Sequence, residues 1–125
     1  MYAYFLVMTG GAIGAALRFG LSRSLPAVAG GWPWATFAAN VAGGLLMGIL
    51  SFWLLRRGVE GEPTRLMLGV GILGGFTTFS AFSLEMAQMV ERGQGMLASG
   101  YALASVILAL GAIFAGMMLA RTMWA

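Results

Sequence analysis

The sequence predicts an all-α integral membrane protein with four transmembrane helices in a single domain over residues 1–125. Of these residues, 60% are hydrophobic and only 9% are charged, whereas a soluble domain is about a quarter charged. Four apolar stretches approach or exceed the roughly 20 residues that a helix needs to cross the hydrocarbon core. The third stretch also carries hydroxyl groups and adjacent glycines, which are tolerated at membrane depth only beside protein or a polar path.

The four apolar stretches are separated by short connections that contain turn-forming residues. Pro26, Gly58, Pro63 and Gly93 lie in these connections and mark helix ends. No stretch remains for a soluble domain. The predicted spans cover residues 2–21, 33–55, 65–90 and 95–120.

The first span has an alternative interpretation as a cleaved signal peptide. The triplet Ala27-Val28-Ala29 resembles a small-residue cleavage site. Arg18 and Arg23, however, follow the apolar run, whereas the basic residues of a signal peptide precede it. We therefore expect the first span to be a transmembrane helix.

The composition excludes several classes of function. The chain has no cysteine and no histidine, which excludes disulfides, thiolate nucleophiles, zinc sites and imidazole chemistry. Its four acids leave no pair of carboxylates for acid–base catalysis within the spans, so we do not expect an enzyme. The net charge of +3 comes from arginines dispersed at span ends, where they anchor to headgroups, so it does not indicate nucleic-acid binding.

The arginine distribution predicts dual insertion. If the N-terminus is inside, four arginines lie on the inner side and three on the outer side. Since an imbalance of basic residues sets orientation, this near-even count favours insertion in both directions and pairing as an antiparallel homodimer. The alternative is that one extra arginine and the N-terminal amine suffice for a single orientation. The inner set is Arg56, Arg57, Arg65 and Arg121, and the outer set is Arg18, Arg23 and Arg92.

Polar side chains inside the spans are candidates for a polar path. Asn40 lies in the body of the second span, where a buried amide needs partners, either as a bridge between helices or as part of the path. Arg18 ends the first span and either snorkels to the headgroups or gives a vestibule positive potential. Glu85 is a mouth residue, a proton carrier or an interfacial charge. Tyr101 and Ser105 are four residues apart and form a short polar track.

The third span predicts a helix break beside two aromatic rings. Gly74-Gly75 followed by Thr77-Thr78 favours an interruption that frees backbone carbonyls for a cation. Phe79 and Phe82 either pack in the core or present their positive ring edges to a dehydrated anion. The hydroxyls that accompany them are those of Thr78, Ser80 and Ser83.

These motifs together resemble the Fluc (CrcB) family of fluoride channels over nearly the whole chain. The third-span signature is the most specific of them, and the order of all the motifs along the chain carries the resemblance. The motifs are Gly10-Gly11-x-x-Gly14-Ala15-x-x-Arg18-Phe19, Thr36-x-x-x-Asn40-x-x-Gly43, Gly71-x-x-Gly74-Gly75-x-Thr77-Thr78-Phe79-Ser80-x-Phe82-Ser83, and the pair Tyr101 and Ser105.

The resemblance implies a fluoride-selective passive channel that exports cytoplasmic fluoride across a bacterial-type inner membrane and gives fluoride resistance. It implies a dual-topology antiparallel homodimer with two pores and a structural sodium ion (Na+) at the dimer interface. Backbone carbonyls of Gly74 and Thr77 from both subunits would hold the sodium. The implied ion pathway comprises Arg18, Asn40, Thr78, Phe79, Ser80, Phe82, Ser83, Tyr101 and Ser105.

Two other functions are compatible with four short spans. A small multidrug-resistance-type proton-coupled exporter would need an acid in its first span, and this chain has none there. Glu85 is the only candidate, and it lies in the third span. A non-transporting small membrane protein would not need Asn40 together with the aromatic and hydroxyl cluster.

Overall fold

A computed structural model describes residues 1–28 and 30–124, and the regular elements of this part of the chain are all helical. The third helix consists of an α-helical turn (Glu62–Thr64), a π-helical segment (Arg65–Leu73) and a second α-helical turn (Gly74–Phe76), and we treat the three as one continuous helix. The helices are α1 (Tyr2–Ser24), α2 (Trp34–Arg57), α3 (residues 62–76), α4 (Ser80–Glu91) and α5 (Gly95–Met123).

The chain reverses direction between α2 and α3. A short 3-10 turn, Gly58–Gly61, joins the two helices, and it begins at a glycine with a φ of 56°, a conformation that side chains disfavour. Beyond the turn, the Leu50 side chain lies beside Gly69 and Asn40 bonds to Thr78. The α2 helix is therefore antiparallel to α3 and α4.

The two outer helices extend this alternation. In α1, Gly10 lies against Gly71 and Gly11 against Gly75, so α1 is parallel to α3. The last helix, α5, is parallel to α2 and antiparallel to α4, to which it is joined through a turn at Gly93. The result is an up-down-up-down arrangement in which α3 and α4 run in the same direction and together form its third segment.

Three stretches of the described chain are long and apolar enough to cross a membrane, namely Tyr2–Ser24, Trp34–Glu91 and Gly95–Met123. The middle stretch contains the reversal at the 3-10 turn, so it consists of two antiparallel segments, α2 and α3 with α4. Large apolar side chains such as Leu55 and Phe114 are more than half exposed on the outside of the helices. A surface of this kind matches lipid rather than water, and the molecule is an integral membrane protein.

Glycines set the contact between α2 and α5. A Cβ atom on Gly44 would lie 2.8 Å from the carbonyl oxygen of Ala109. One on Gly48 would collide with the backbone of Ile113, and one on Gly116 would collide with Leu45. Because lipid gives helices no hydrophobic drive to associate, such close backbone approach supplies the packing energy.

A second glycine contact joins α1 to α3. A Cβ on Gly14 would collide with Ile72, and one on Gly75 would lie 2.6 Å from the carbonyl oxygen of Gly11. This contact brings the end of α1 close to the end of α3. Arg18, one turn beyond Gly14, consequently donates a hydrogen bond from Nε to the carbonyl oxygen of Gly75 at 3.2 Å.

The helices are longer than the predicted spans. The first continues from residue 21 to Ser24, and the last from residue 120 to Met123. Hydropathy reports only the hydrocarbon section, whereas a helix continues through the headgroup layer until a turn residue ends it. Ala29, part of the alternative cleavage site, lies outside the described residues.

The glycine contacts predict which α5 substitutions destabilise the protein. Gly116→Ala places a methyl group against the α2 backbone, so we expect a loss of about 1–3 kcal/mol, the usual cost of overpacking. Gly111→Ala is the matched control, because no atom of the described chain that could obstruct it lies within 4 Å of a Cβ there. Thermal unfolding in detergent should show a lower melting temperature for the first variant and an equal or higher one for the second. Equal melting temperatures for both variants would contradict this packing.

Candidate functional site

The third segment is interrupted between α3 and α4, as the sequence predicts. The helix ends at Phe76, Thr77 has an extended backbone (φ −84°, ψ 159°), and helical structure resumes at Ser80. Such an interruption leaves backbone groups without helical partners, which is costly in an apolar medium unless other groups satisfy them.

Asn40 satisfies the interrupted backbone from the neighbouring helix. Its Nδ2 donates to the carbonyl oxygen of Thr78 at 3.0 Å, and its Oδ1 accepts from the Thr78 N–H at 2.9 Å. The amide thus makes the same paired hydrogen bonds that a neighbouring backbone would make. Of the two interpretations for Asn40, the structure provides the bridge between helices, and the amide also borders the groove described below.

The break changes the partners of the Gly74 and Thr77 carbonyl oxygens. In a continuous helix they would accept from the N–H groups of Thr78 and Ala81. Here the Thr78 N–H donates to Asn40, and the Ala81 N–H donates to the hydroxyl of Thr78 at 3.1 Å. These two carbonyls, which the family resemblance assigns to a cation, are therefore released from helical bonding. They are hard oxygen donors of the kind that broken membrane helices offer to sodium.

An open groove of about 500 Å³ runs beside the break. It brings together residues of α2, the break and α5 that are distant in sequence. Ser105 lies in its wall, and its hydroxyl is buried without a hydrogen-bond partner among the described residues. The wall is formed by Asn40, Gly43, Gly44, Met47, Gly74, Thr77, Thr78, Phe79, Phe82, Ser105, Val106, Ala109 and Ile113.

The two phenylalanines have different surroundings. Phe82 is 6% exposed and its ring meets Tyr101 edge to face at 5.0 Å, whereas Phe79 is 77% exposed. Their ring centroids are 5.8 Å apart. Phe79 lies just before the first turn of α4, and its ring is largely exposed although both rings border the groove.

Glu85 is the functional candidate whose partners the sequence does not reveal. One carboxylate oxygen accepts from the Thr36 hydroxyl at 2.6 Å, and the other accepts from the Tyr101 hydroxyl at 2.8 Å. Thr36 and Tyr101 are both buried. No local spacing signals this cluster, because its three members come from three helices and only the packing of α2, α4 and α5 joins them.

Glu85 also lies where two cavities meet. One cavity, of about 390 Å³, is shared with Arg18, Ser22 and Thr36. The other, of about 240 Å³, is shared with Gln88 and Arg92. The carboxylate therefore borders two cavities, and each cavity has one arginine in its wall.

The remaining predicted residues lie outside the groove wall. Arg18 borders the first of the Glu85 cavities, and Tyr101 is fully buried behind Phe82. The Ser80 hydroxyl is exposed, with its oxygen 3.4 Å from that of Thr78. Ser83 is half-buried on α4. The structure therefore gathers Asn40, Thr78, Phe79, Phe82 and Ser105 with Gly74 and Thr77 around the groove, whereas Arg18, Ser80, Ser83 and Tyr101 lie outside its wall.

Comparison with known proteins identifies the family. A family model described as "CrcB-like protein, Camphor Resistance (CrcB)" matches residues 5–117. A protein of Phenylobacterium zucineum named "Fluoride-specific ion channel FluC" is 54% identical over 127 residues, with all of both chains covered. Proteins of the same name from Novosphingobium aromaticivorans (97% of this chain, 98% of the relative) and Caulobacter vibrioides (96% of each) are 54% and 50% identical. The relatives are channels, in agreement with the expectation that the chain is not an enzyme. The chain belongs to the CrcB family.

Proposed function

We propose that this protein is a fluoride-selective passive channel of the inner membrane, with four transmembrane helices per protomer. The observation that carries the proposal is the buried hydroxyl of Ser105, which has no hydrogen-bond partner among residues 1–28 and 30–124 and lies in the wall of a groove that Asn40 and the phenylalanines also line. A buried hydroxyl without a partner costs about 1–3 kcal/mol. An anion that passes through the groove, or mobile water between passages, would accept from this hydroxyl and offset that cost, which explains why the hydroxyl is retained. The names of the relatives supply the identity of the anion.

The groove offers several weak donors in place of a single charged trap. Asn40 uses one N–H of its amide on Thr78 and has a second N–H available. The hydroxyls of Thr78 and Ser105 and the positive ring edges of Phe79 and Phe82 add further favourable contacts. Fluoride binds its water strongly, so a path must replace that water. Modest donors replace it without holding the ion so tightly that it cannot leave.

A complete path requires two copies of the chain. The groove is open on one side, and Phe79 projects 77% exposed beside it. Pairing through this face would bury the exposed ring and close two symmetric pores. The near-even arginine count of the two sides supports an antiparallel pair inserted in both directions.

The same pairing would complete a cation site. Gly74 and Thr77 would each contribute a carbonyl oxygen from both copies, which gives four hard donors near a two-fold axis. A sodium ion held there would supply positive potential in a low-dielectric environment, where it stabilises a nearby anion more than in water. Asn40 takes the Thr78 N–H and so frees the Gly74 carbonyl from helical bonding, and the Thr78 hydroxyl takes the Ala81 N–H and so frees the Thr77 carbonyl.

Ion selectivity tests the proposed function directly. Liposomes that contain the purified protein and equal fluoride and chloride should release fluoride rapidly and retain chloride at the rate of protein-free liposomes. Selective electrodes measure both ions in one experiment. Release of both ions at similar rates, or of neither, would refute the proposal, and proton-driven uptake of a lipophilic cation would support the exporter instead.

Substitution of Asn40 tests the link between the break and conduction. Asn40→Asp keeps the acceptor for the Thr78 N–H but removes the donor to the Thr78 carbonyl, 3.0 Å away. It leaves two oxygens facing each other, so we expect fluoride efflux to fall about tenfold or more, given about 1–3 kcal/mol for a buried unsatisfied group.

Gln94→Glu is the matched control for this substitution. Gln94 also donates an amide N–H to a backbone carbonyl, that of Gly30, at 3.0 Å, but it lies in the turn before α5. Its efflux should stay near that of the unchanged protein. Equal efflux from both variants would show that the Asn40 bonds do not matter for conduction.

Removal of sodium tests the cation site. Exchange of sodium for N-methylglucamine, which is too large for a carbonyl cage, should lower the melting temperature and shift the protein toward monomer. Lithium and potassium serve as graded controls because they differ from sodium mainly in size. A melting temperature and dimer fraction that are independent of the cation would contradict the site while leaving the fluoride result intact.

A further inference from the structure

A second groove lies at the end of the molecule where α2 turns into α3. It has a volume of about 430 Å³, within the range of about 300–1,000 Å³ that small-molecule sites occupy. Among the described residues of its wall, Thr64 alone has an aliphatic hydroxyl, and the others are apolar or carry an indole. Its wall includes Leu46, Ile49, Trp53, Leu68 and Trp124.

The groove opens onto a basic cleft. Trp53 and Trp124 line both the groove and an adjoining cleft of about 260 Å³, whose other walls are Arg56 and Arg57. The Arg57 guanidinium lies over the Trp53 ring, 5.0 Å from its centroid. The apolar groove therefore adjoins two guanidinium groups, of which that of Arg56 also donates to the backbone carbonyl oxygen of Trp124.

The charges around the cleft favour an anion. Arg65 donates a pair of hydrogen bonds to the Glu62 carboxylate, both at 2.7 Å, so the charge of Glu62 is already neutralised by Arg65. Glu60 is exposed on the 3-10 turn and does not line the cleft. Arg121 lies in the last turn of α5 at the same end. The balance at this end is four arginines against two glutamates.

The groove faces away from the proposed pairing surface. At about 100° per residue, the side of α2 that carries Leu46, Ile49 and Trp53 is roughly 120° from the side that carries Asn40 and Gly43. A second copy seated on the Asn40 side would leave the second groove in contact with the bilayer. The choice of lipid over a second copy rests on that proposed pairing.

We propose that this groove and cleft form a binding site for an anionic phospholipid. One acyl chain occupies the apolar groove between α2 and α3, and the headgroup phosphate meets Arg57 and Arg56. Guanidinium groups bind phosphate oxygens through paired N–H donors, and the indoles of Trp53 and Trp124 suit the boundary between acyl chain and headgroup. The site is separate from the ion groove and from Glu85.

Native mass spectrometry of the purified protein tests this site. The protein is equilibrated with equal palmitoyl-oleoyl phosphatidylglycerol and phosphatidylcholine, and the retained lipids are counted. Retained phosphatidylglycerol should exceed phosphatidylcholine, and Arg57→Gln should reduce it about fivefold, the effect of one arginine near a charged membrane surface. Arg23→Gln is the matched control, because Arg23 also lies over an aromatic ring, 6.0 Å from the centroid of Phe19, but is not part of the wall of this groove or cleft.

Two further measurements separate the lipid from other occupants. Leu46→Trp fills the groove without a change of charge and should also reduce retained phosphatidylglycerol. Inorganic phosphate added without anionic lipid should not raise the melting temperature, whereas phosphatidylglycerol should. An equal loss from the Arg57 and Arg23 variants, or stabilisation by inorganic phosphate alone, would overturn the proposal. Disulfide cross-linking between two copies of a Leu46→Cys protein would show that a second copy covers the groove. That result would overturn the lipid proposal, and the fluoride flux would still test the proposed function separately.

Discussion

The two hydrogen bonds between the Asn40 amide and the Thr78 backbone are the interaction on which the rest of the site depends. An interrupted helix in lipid has unsatisfied backbone groups, and each costs several kcal/mol in an apolar medium. The amide satisfies one N–H and one carbonyl together. The same bonds release the Gly74 carbonyl, and the Thr78 hydroxyl, by capping α4 at Ala81, releases that of Thr77.

This clamp requires α2 and the break to be close together. An asparagine side chain is short, so it reaches the Thr78 backbone only if nothing bulky separates the two elements. Gly43, one turn after Asn40, meets the Thr77 side chain so closely that a Cβ there would collide with it. Gly44 and Gly48 bring α5 against the next face of the same helix. The small residues therefore determine where the polar groups lie as well as how firmly the helices pack.

The two ends of the molecule differ in chemistry. Near the start of α2, the Glu85 carboxylate accepts hydrogen bonds from two hydroxyls and borders two cavities that each have an arginine in the wall. A carboxylate within a membrane protein is costly unless it is paired or hydrogen-bonded, and Thr36 and Tyr101 provide those bonds. At the other end, arginines lie at the rim of an apolar groove. An antiparallel pair would present both kinds of end to each side of the membrane.

The sequence by itself determined the class of the protein, its helices and the position of the break. Hydrophobic length and turn residues predict helices to within a few residues, and Gly74-Gly75 with Thr77-Thr78 predicts the interruption, because these are local properties of the chain. Only the tertiary structure decided that Asn40 bonds to Thr78, that Ser105 borders the same groove, and that Glu85 joins Thr36 and Tyr101. The hydrogen bonds among these contacts join residues that are 16 to 49 positions apart in the sequence. Their geometry follows from how closely the glycines let the helices approach, and no periodicity along one helix records that distance.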